Sequence, residues 1–182
     1  MIILRGRVSA VFFIALSSMA AGMNRAYLLT GGNLGNRQRN LDQAREAISR
    51  RCGIITNTSH YYETAAWGKT DQPSFLNQAI QLETNMSPQS LLSELLRIER
   101  QAGRERNERY GPRIIDIDLI LYGDAIINEP SLTIPHPQMQ QRRFVLVPLA
   151  EIAPTVIHPV LGTTIEQLLE TCPDQLPVVR FI

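Results

Sequence analysis

The stretch "IIDIDLILYGD", residues 114–124, reads as the most apolar strand of the chain, yet it carries two aspartates. Side chains along a strand alternate between faces, so Asp116 and Asp118 share one face while Ile115, Ile117, Leu119 and Leu121 share the other. Taken alone, the pattern fits a half-exposed edge strand with solvated aspartates as well as it fits a pair held together for chemistry. The neighbouring segments separate the two.

Upstream, a strand over 26–31 leads through a Gly/Asn turn into a helix over 37–51, with Leu41, Ala44 and Ile48 on one face and Gly53 as its stop. A strand over 54–63 follows, then a loop with Gly68 and Pro73. Next comes a strand over 75–84, whose Phe75, Asn77, Ala79 and Gln81 alternate with Leu76, Gln78, Ile80 and Leu82. "SPQSLLSELLRIER" opens a second helix: Ser87 is an N-cap, Pro88 takes the first helical position, and Leu91, Leu92, Leu95 and Ile98 form its apolar stripe. With the Asp-x-Asp strand the order becomes β-α-β-β-α-β. This predicts an α+β fold with a ferredoxin-like core, a mainly antiparallel sheet carrying two helices on one face. A Pro-rich C-terminal extension over 128–182 contains one further predicted helix near 164–170.

With 182 residues and 44% hydrophobic content, the chain suits one globular domain with a sizeable core. A net charge of +1 makes no general electrostatic case for nucleic acid or a membrane surface. Cys52 and Cys172 are the only cysteines, without CxxC or zinc-type spacing, so neither a disulfide framework nor a structural metal is indicated. Residues 1–22 resemble a secretory signal, with Arg5 and Arg7 ahead of the apolar run 8–16 and small residues at 18 and 20. However, Met23 stands directly before "NRAYLLT", a natural first strand. Residues 1–22 are therefore read as an upstream-start artefact and 23–182 as the domain. The apolar run is too short for a membrane span.

Immediately before the Asp-x-Asp strand, "ERQAGRERNERYGPR" places Arg100, Arg104, Arg106, Arg109 and Arg113 on a segment that Gly103, Gly111 and Pro112 prevent from being helical. Arginines on an irregular loop beside two carboxylates suggest phosphate chemistry. Guanidinium groups grip phosphate oxygens with paired hydrogen bonds, and aspartates hold the magnesium that bridges them. A solvated loop of salt bridges with Glu99, Glu105 and Glu108 is the alternative. "WGKT" at 67–70 imitates the end of a P-loop, but Glu63 occupies the place of its first glycine and Pro73 follows where the helix should run. "TGGNLGN" lacks the G-x-G-x-x-G order, and Gly31, Gly32 and Gly35 are read as turn residues.

These residues together resemble the 6-hydroxymethyl-7,8-dihydropterin pyrophosphokinase family of folate biosynthesis. "YGPRIIDIDLILYGD" is similar to the family's aromatic-Gly-Pro-Arg-x-x-Asp-x-Asp signature. "GGNLGNR", "YETAAWGKTDQPSFLNQA", "RIERQAGRERNERYGPR" and "IPHPQMQQRRFVLVPLAEIAP" follow in the family's order, and the match runs from Met23 to the end. The resemblance implies transfer of the β,γ-diphosphate of ATP to the hydroxymethyl group of the pterin, with release of AMP. It implies two magnesium ions on Asp116 and Asp118, and Arg104 and Arg113 acting on the phosphates during transfer. Glu99, Arg106, Arg109, Leu119, Thr133, His136 and Arg142 are implied as contacts to ATP. Phe75 and Phe144 are implied as the pair that stacks on the pterin and Asn77 as the reader of its hydrogen-bonding edge, with Thr64, Ala65, Trp67 and Tyr110 around the ring. Without the resemblance, Phe75 and Phe144 read as plain core.

Several positions depart from the family pattern: Tyr110 stands where some members have tryptophan, Gly32 where some have serine, and Ser131 and Pro137 where some have arginine and an aromatic. The resemblance also implies small-molecule substrates, a monomer, a cytoplasmic location, and neither nucleic acid nor membrane as partner. RNA-binding modules share the β-α-β-β-α-β topology. They need aromatic residues and a basic face where this chain puts Asp116 and Asp118, and acidic residues repel a phosphate backbone unless metal intervenes.

Overall fold

The computed structural model describes residues 22–66, 71–103 and 111–182. Residues 1–21 of the leader-like segment lie outside them. β1 (Asn24–Gly32) is followed by α1 (Arg37–Arg51), β2 (Ile54–Thr58), β3 (Tyr62–Thr64), β4 (Phe75–Thr84), α2 (Pro88–Gln101) and β5 (Asp116–Tyr122). The extension supplies the hairpin β6 (Ile127–Glu129) and β7 (Leu132–Ile134), then α3 (Arg143–Ile152), α4 (Ile165–Glu170) and β8 (Val178–Arg180). The main sheet runs β5-β1-β4-β3-β8, with β2 also on β4, and every pairing is antiparallel. The α+β, ferredoxin-like expectation is borne out, with the fourth core strand beside the first and the third between the first and the second. Among the described residues no helix is long and apolar enough to cross a membrane.

Period-3.6 patterning places both core helices. Asn36 caps α1 by accepting from the Arg39 N–H at 3.1 Å, and Ser87 caps α2 by accepting from the Ser90 N–H at 3.2 Å. Their apolar stripes, Leu41, Ala44 and Ile48 with Leu91, Leu95 and Ile98, bury against Ala26, Leu28, Leu76, Ile80, Leu82, Ile117 and Leu119. A fully buried leucine or isoleucine contributes about 1.5–3 kcal/mol relative to its exposed state, so each residue of this layer adds appreciably to the stability of the core.

The opposite sheet face is also covered, which the two-helix expectation did not include. Val145, Leu146 and Leu149 of α3 and Ile165 and Leu168 of α4 pack with Tyr27, Leu29, Ala79, Ile120 and Leu121. Sequence reading places no helix at α3 in the Pro-rich extension, and Pro148 does sit inside it. A proline costs a helix hydrogen bond, but here the buried apolar face of the helix outweighs that loss.

Three further local expectations are corrected. The single strand over 54–63 is two: β2 pairs with the C-terminal half of β4, β3 with its N-terminal end. Buried Ser59 stitches the break: its N–H donates to the Ala79 carbonyl at 3.0 Å, its Oγ accepts from the Ala79 N–H at 3.0 Å, and its carbonyl accepts from Gln78 Nε2 at 2.9 Å. In β5, Tyr27 pairs with Leu121 while Leu28 pairs with Leu119, so Ile120 is the extra residue of a bulge. The bulge turns Leu121 away from Leu119 and onto the aspartate face. Finally, Gly31 and Gly32 belong to β1 and not to the turn, whereas Gly35, at φ +65°, is the residue that turns the chain.

Candidate active site

The sheet register builds the site. Gly31 pairs with Asn77 on one side and with Asp116 on the other, so Asn77, Gly31 and Asp116 form one row across β4, β1 and β5. Ala79, Leu29 and Asp118 form the next row. Asp116 and Asp118 therefore do share a face, and it is the face of Phe75 and Asn77. A side chain on Gly31 would fill the middle of the upper row, because a Cβ there would lie 2.5 Å from Asn77 Oδ1. Its absence leaves room for a cavity of about 200 Å³ lined by Thr64, Ala65, Phe75, Asn77, Arg113 and Phe144 together with Asp116, Asp118, His136 and Arg142.

Phe75 and Phe144 are half-buried and line this cavity, so neither is plain core. Each carries an arginine over its ring, Arg113 at 5.4 Å from the Phe75 centroid and Arg142 at 5.7 Å from that of Phe144. Asn77 is buried, and its Nδ2 donates to Thr64 Oγ1 at 2.9 Å, leaving Oδ1 on the Gly31 side. The cavity thus combines flat apolar walls with a fixed amide, the requirements of a planar heterocycle rich in hydrogen-bonding edges.

A second, more open cleft of about 400 Å³ shares the aspartates with the first. Glu99, Leu119, Thr133 and His136 line it with Leu92, Leu96, Ser131 and Pro137. Glu99 is 2% exposed and accepts from the Ile117 N–H at 2.7 Å, gripping the backbone between the two aspartates. Asp116, Asp118 and His136 belong to both clefts. His136 Nδ1 accepts from the Gln138 N–H at 3.3 Å, which leaves its proton on Nε2, and burial followed by the Arg142 charge lowers its pKa to about 4. It is a neutral donor at physiological pH. Arg142 lines the first cavity and not the second, and its Nη2 donates to Gln138 Oε1.

Arg113 Nη1 donates to Asp116 Oδ2, so a cation already sits on the first aspartate. No group of three or more His, Cys, Asp or Glu side chains able to hold a metal occurs among the described residues. Two adjacent carboxylates nevertheless fit magnesium, which keeps several waters and commonly uses one or two carboxylates together with substrate phosphates.

The structure thus brings together Thr64, Ala65, Phe75, Asn77, Arg113, Asp116, Asp118, His136, Arg142 and Phe144 around one cavity, and Glu99, Leu119 and Thr133 around the adjoining cleft. Trp67, Arg104, Arg106, Arg109 and Tyr110 lie outside the described residues. Sequence reasoning missed Leu29 and Gly31, and Leu92 and Leu96 of α2. The first two were legible in principle from the alternation of β1. Leu92 and Leu96 sit at the edge of a helical stripe and carry no signal that distinguishes lining from core.

Comparison with known proteins points the same way. The model of the family described as 7,8-dihydro-6-hydroxymethylpterin-pyrophosphokinase matches residues 27–154. A 2-amino-4-hydroxy-6-hydroxymethyldihydropteridine pyrophosphokinase of Synechocystis is 48% identical over 141 residues, 77% of this chain and 72% of that one. A protein of Dictyostelium discoideum named folic acid synthesis protein FOL1 is 40% identical over 154 residues, 85% of this chain but 23% of that one. In the crystal structure of a Plasmodium falciparum HPPK-DHPS triple mutant, a region 20% identical superposes with a TM-score of 0.68, covering 82% of this chain and 43% of the other. The chain therefore spans less than half the length of the last two. With the matched residues running from β1 through α3, the chain belongs to the 7,8-dihydro-6-hydroxymethylpterin-pyrophosphokinase family.

Proposed function

We propose that the cavity between Phe75 and Phe144 takes the pterin, that the open cleft beside Glu99 and Thr133 takes ATP, and that diphosphate passes between them at Asp116 and Asp118. The reaction is transfer of diphosphate from ATP to 6-hydroxymethyl-7,8-dihydropterin, a step of folate biosynthesis. The hydroxymethyl oxygen forms a bond to the β-phosphorus, the bond between that phosphorus and the α,β-bridging oxygen breaks, and AMP leaves with that oxygen.

The observation that carries this reading is that two differently built clefts share the same two carboxylates. The phenylalanine rings hold the heterocycle flat, and the Asn77 amide selects its donor and acceptor edge. His136, neutral, offers Nε2–H where the clefts meet. Arg113, now on Asp116, reaches a phosphate by exchanging one oxyanion for another, a charge-assisted contact that strengthens as charge develops. Two magnesium ions on Asp116 and Asp118 would supply positive charge to the attacking and leaving oxygens. Asp116 is assigned the further role of receiving the hydroxyl proton. One chain supplies both clefts, which supports a monomer as the working unit, and both substrates are cytosolic compounds, which supports a cytoplasmic location.

Incubating the protein with ATP, magnesium and hydroxymethyldihydropterin tests the reading. It predicts AMP and pterin diphosphate in equal amounts. ADP as product, or AMP formed equally without the pterin, would contradict it.

A further inference from the structure

We infer that Asn33 is a positioning residue for the transfer step, a side-chain clamp that sets Arg113 against Phe75 and Asp116; the inference rests on the function proposed above. Asn33 follows β1 and is 3% exposed. Its Oδ1 accepts from the Arg113 backbone N–H at 2.8 Å and its own backbone N–H donates to the Arg113 carbonyl at 2.9 Å, so residue 113 is held at both its donor and its acceptor. Its Nδ2 uses both protons on a different segment, donating to Gln72 Oε1 and to the Pro73 carbonyl, each at 3.1 Å. That segment leads directly into Phe75. One amide therefore ties the strand end to the two chain segments that carry Phe75 and Arg113, the pair found in contact at 5.4 Å.

The residue type is dictated by this arrangement. Two donors and an acceptor on one short planar group are needed, which aspartate, serine and alanine lack and glutamine holds one methylene further out. Gly32 completes the clamp, since a Cβ there would strike the Ile114 carbonyl oxygen and push residues 113 and 114 away from Asn33. Arg113 is long, so slack at its backbone clamp is carried along the side chain to the guanidinium and to its contacts with Asp116, the Gly111 carbonyl and Phe75. A displacement of about 1 Å at a transfer site costs on the order of 100-fold in rate.

The test is a double-mutant cycle. Asn33→Ala and Arg113→Ala are made singly and together, with kcat, both KM values and Tm measured for each. The expected result is a fall in kcat of about 10–100-fold for Asn33→Ala, with the KM for ATP changed less than about threefold, and no further fall when Asn33→Ala is added to Arg113→Ala. The same factor lost in both backgrounds, or a lowered Tm with kcat unchanged, overturns the inference. Should Asn33→Ala not fold, Asn33→Asp keeps the acceptor for Arg113 while losing both donors, and Gln72→Ala removes one partner. Each is expected to lower kcat by a smaller factor that again vanishes in the Arg113→Ala background, and persistence of that factor overturns the inference. A second readout needs no turnover. Arg113 Nε donates to the Gly111 carbonyl at 3.2 Å, and its Nε–H resonance, assigned by its loss in Arg113→Lys, is expected to shift or broaden in Asn33→Ala in the free protein. An unchanged resonance overturns the clamp, whereas absence of AMP from the wild type overturns only the proposed function.

Discussion

Two adjacent glycines offer a controlled comparison between site and scaffold. In Gly31→Ala the added Cβ meets the end of a side chain, Asn77 Oδ1 at 2.5 Å, and reaches ordinary contact at 3.4 Å only if the amide gives way by about 0.9 Å. That displacement breaks the 2.9 Å bond to Thr64 Oγ1, worth about 1 kcal/mol, and misdirects the amide toward the bound ring. Losing one or two directed hydrogen bonds to the pterin amounts to about 1.5–3 kcal/mol, or roughly 10–100-fold in affinity. In Gly32→Ala the Cβ instead meets the backbone carbonyl of Ile114, with no side chain to rotate away. The cost there falls on the fold, about 1–3 kcal/mol of overpacking, which for a chain of this size lowers Tm by about 2–4 °C per kcal/mol. Equilibrium pterin binding by fluorescence and thermal unfolding of both variants decide the matter. Gly31→Ala should lose affinity while keeping Tm within a few degrees of wild type, and Gly32→Ala should lose Tm. A Gly31→Ala protein that binds the pterin as tightly as wild type would refute the row of Asn77, Gly31 and Asp116 as the floor of the ring site.

Arg113→Ala should lower kcat by about 100–1,000-fold while weakening ATP binding less than about tenfold, because its contact strengthens in the transition state; calorimetry alongside single-turnover kinetics separates the two. Asp174 takes the place of a missing side-chain cap for α3, accepting from the Arg143 N–H at 3.0 Å, so Asp174→Ala should cost about 1 kcal/mol in denaturant unfolding and Asp174→Asn much less. Burial, aided by the Glu94 charge, pushes the Cys52 thiol up to about 11. The unfolded chain then releases this proton first, so as pH rises from about 9 to 11 wild type should lose up to about 2–3 kcal/mol relative to Cys52→Ala. Parallel stability curves for the two proteins over that range would contradict the assignment.

The elements with a strong period were legible in the sequence. The helix over 37–51 and the helix begun by Ser87 and Pro88 were fixed by apolar spacing and caps, and the placement of both aspartates on one face followed from strand alternation alone. The bulge at Ile120 was not, because it depends on how β5 registers against β1, which no local pattern in residues 114–124 encodes. The helix α3 was hidden by Pro148, whose cost is outweighed by burial of Val145, Leu146 and Leu149 against a sheet face formed by distant segments. Gly31 and Gly32 looked like turn glycines because glycine marks both a turn and a close approach. Only the pairing with Asn77 and the proximity of Ile114 show that close approach is the reason. Phe75 and Phe144 were likewise indistinguishable from core until the cavity between them was seen.

The most direct test of the central claim, that both clefts do their work through Asp116 and Asp118, is Mn²⁺ binding followed by electron paramagnetic resonance in the presence of a non-hydrolysable ATP analogue. The account predicts tight, nucleotide-dependent uptake by wild type and its loss in Asp118→Ala, a variant that should still bind the pterin and unfold near the wild-type temperature. Equal uptake by Asp118→Ala, with AMP formation retained, would contradict it.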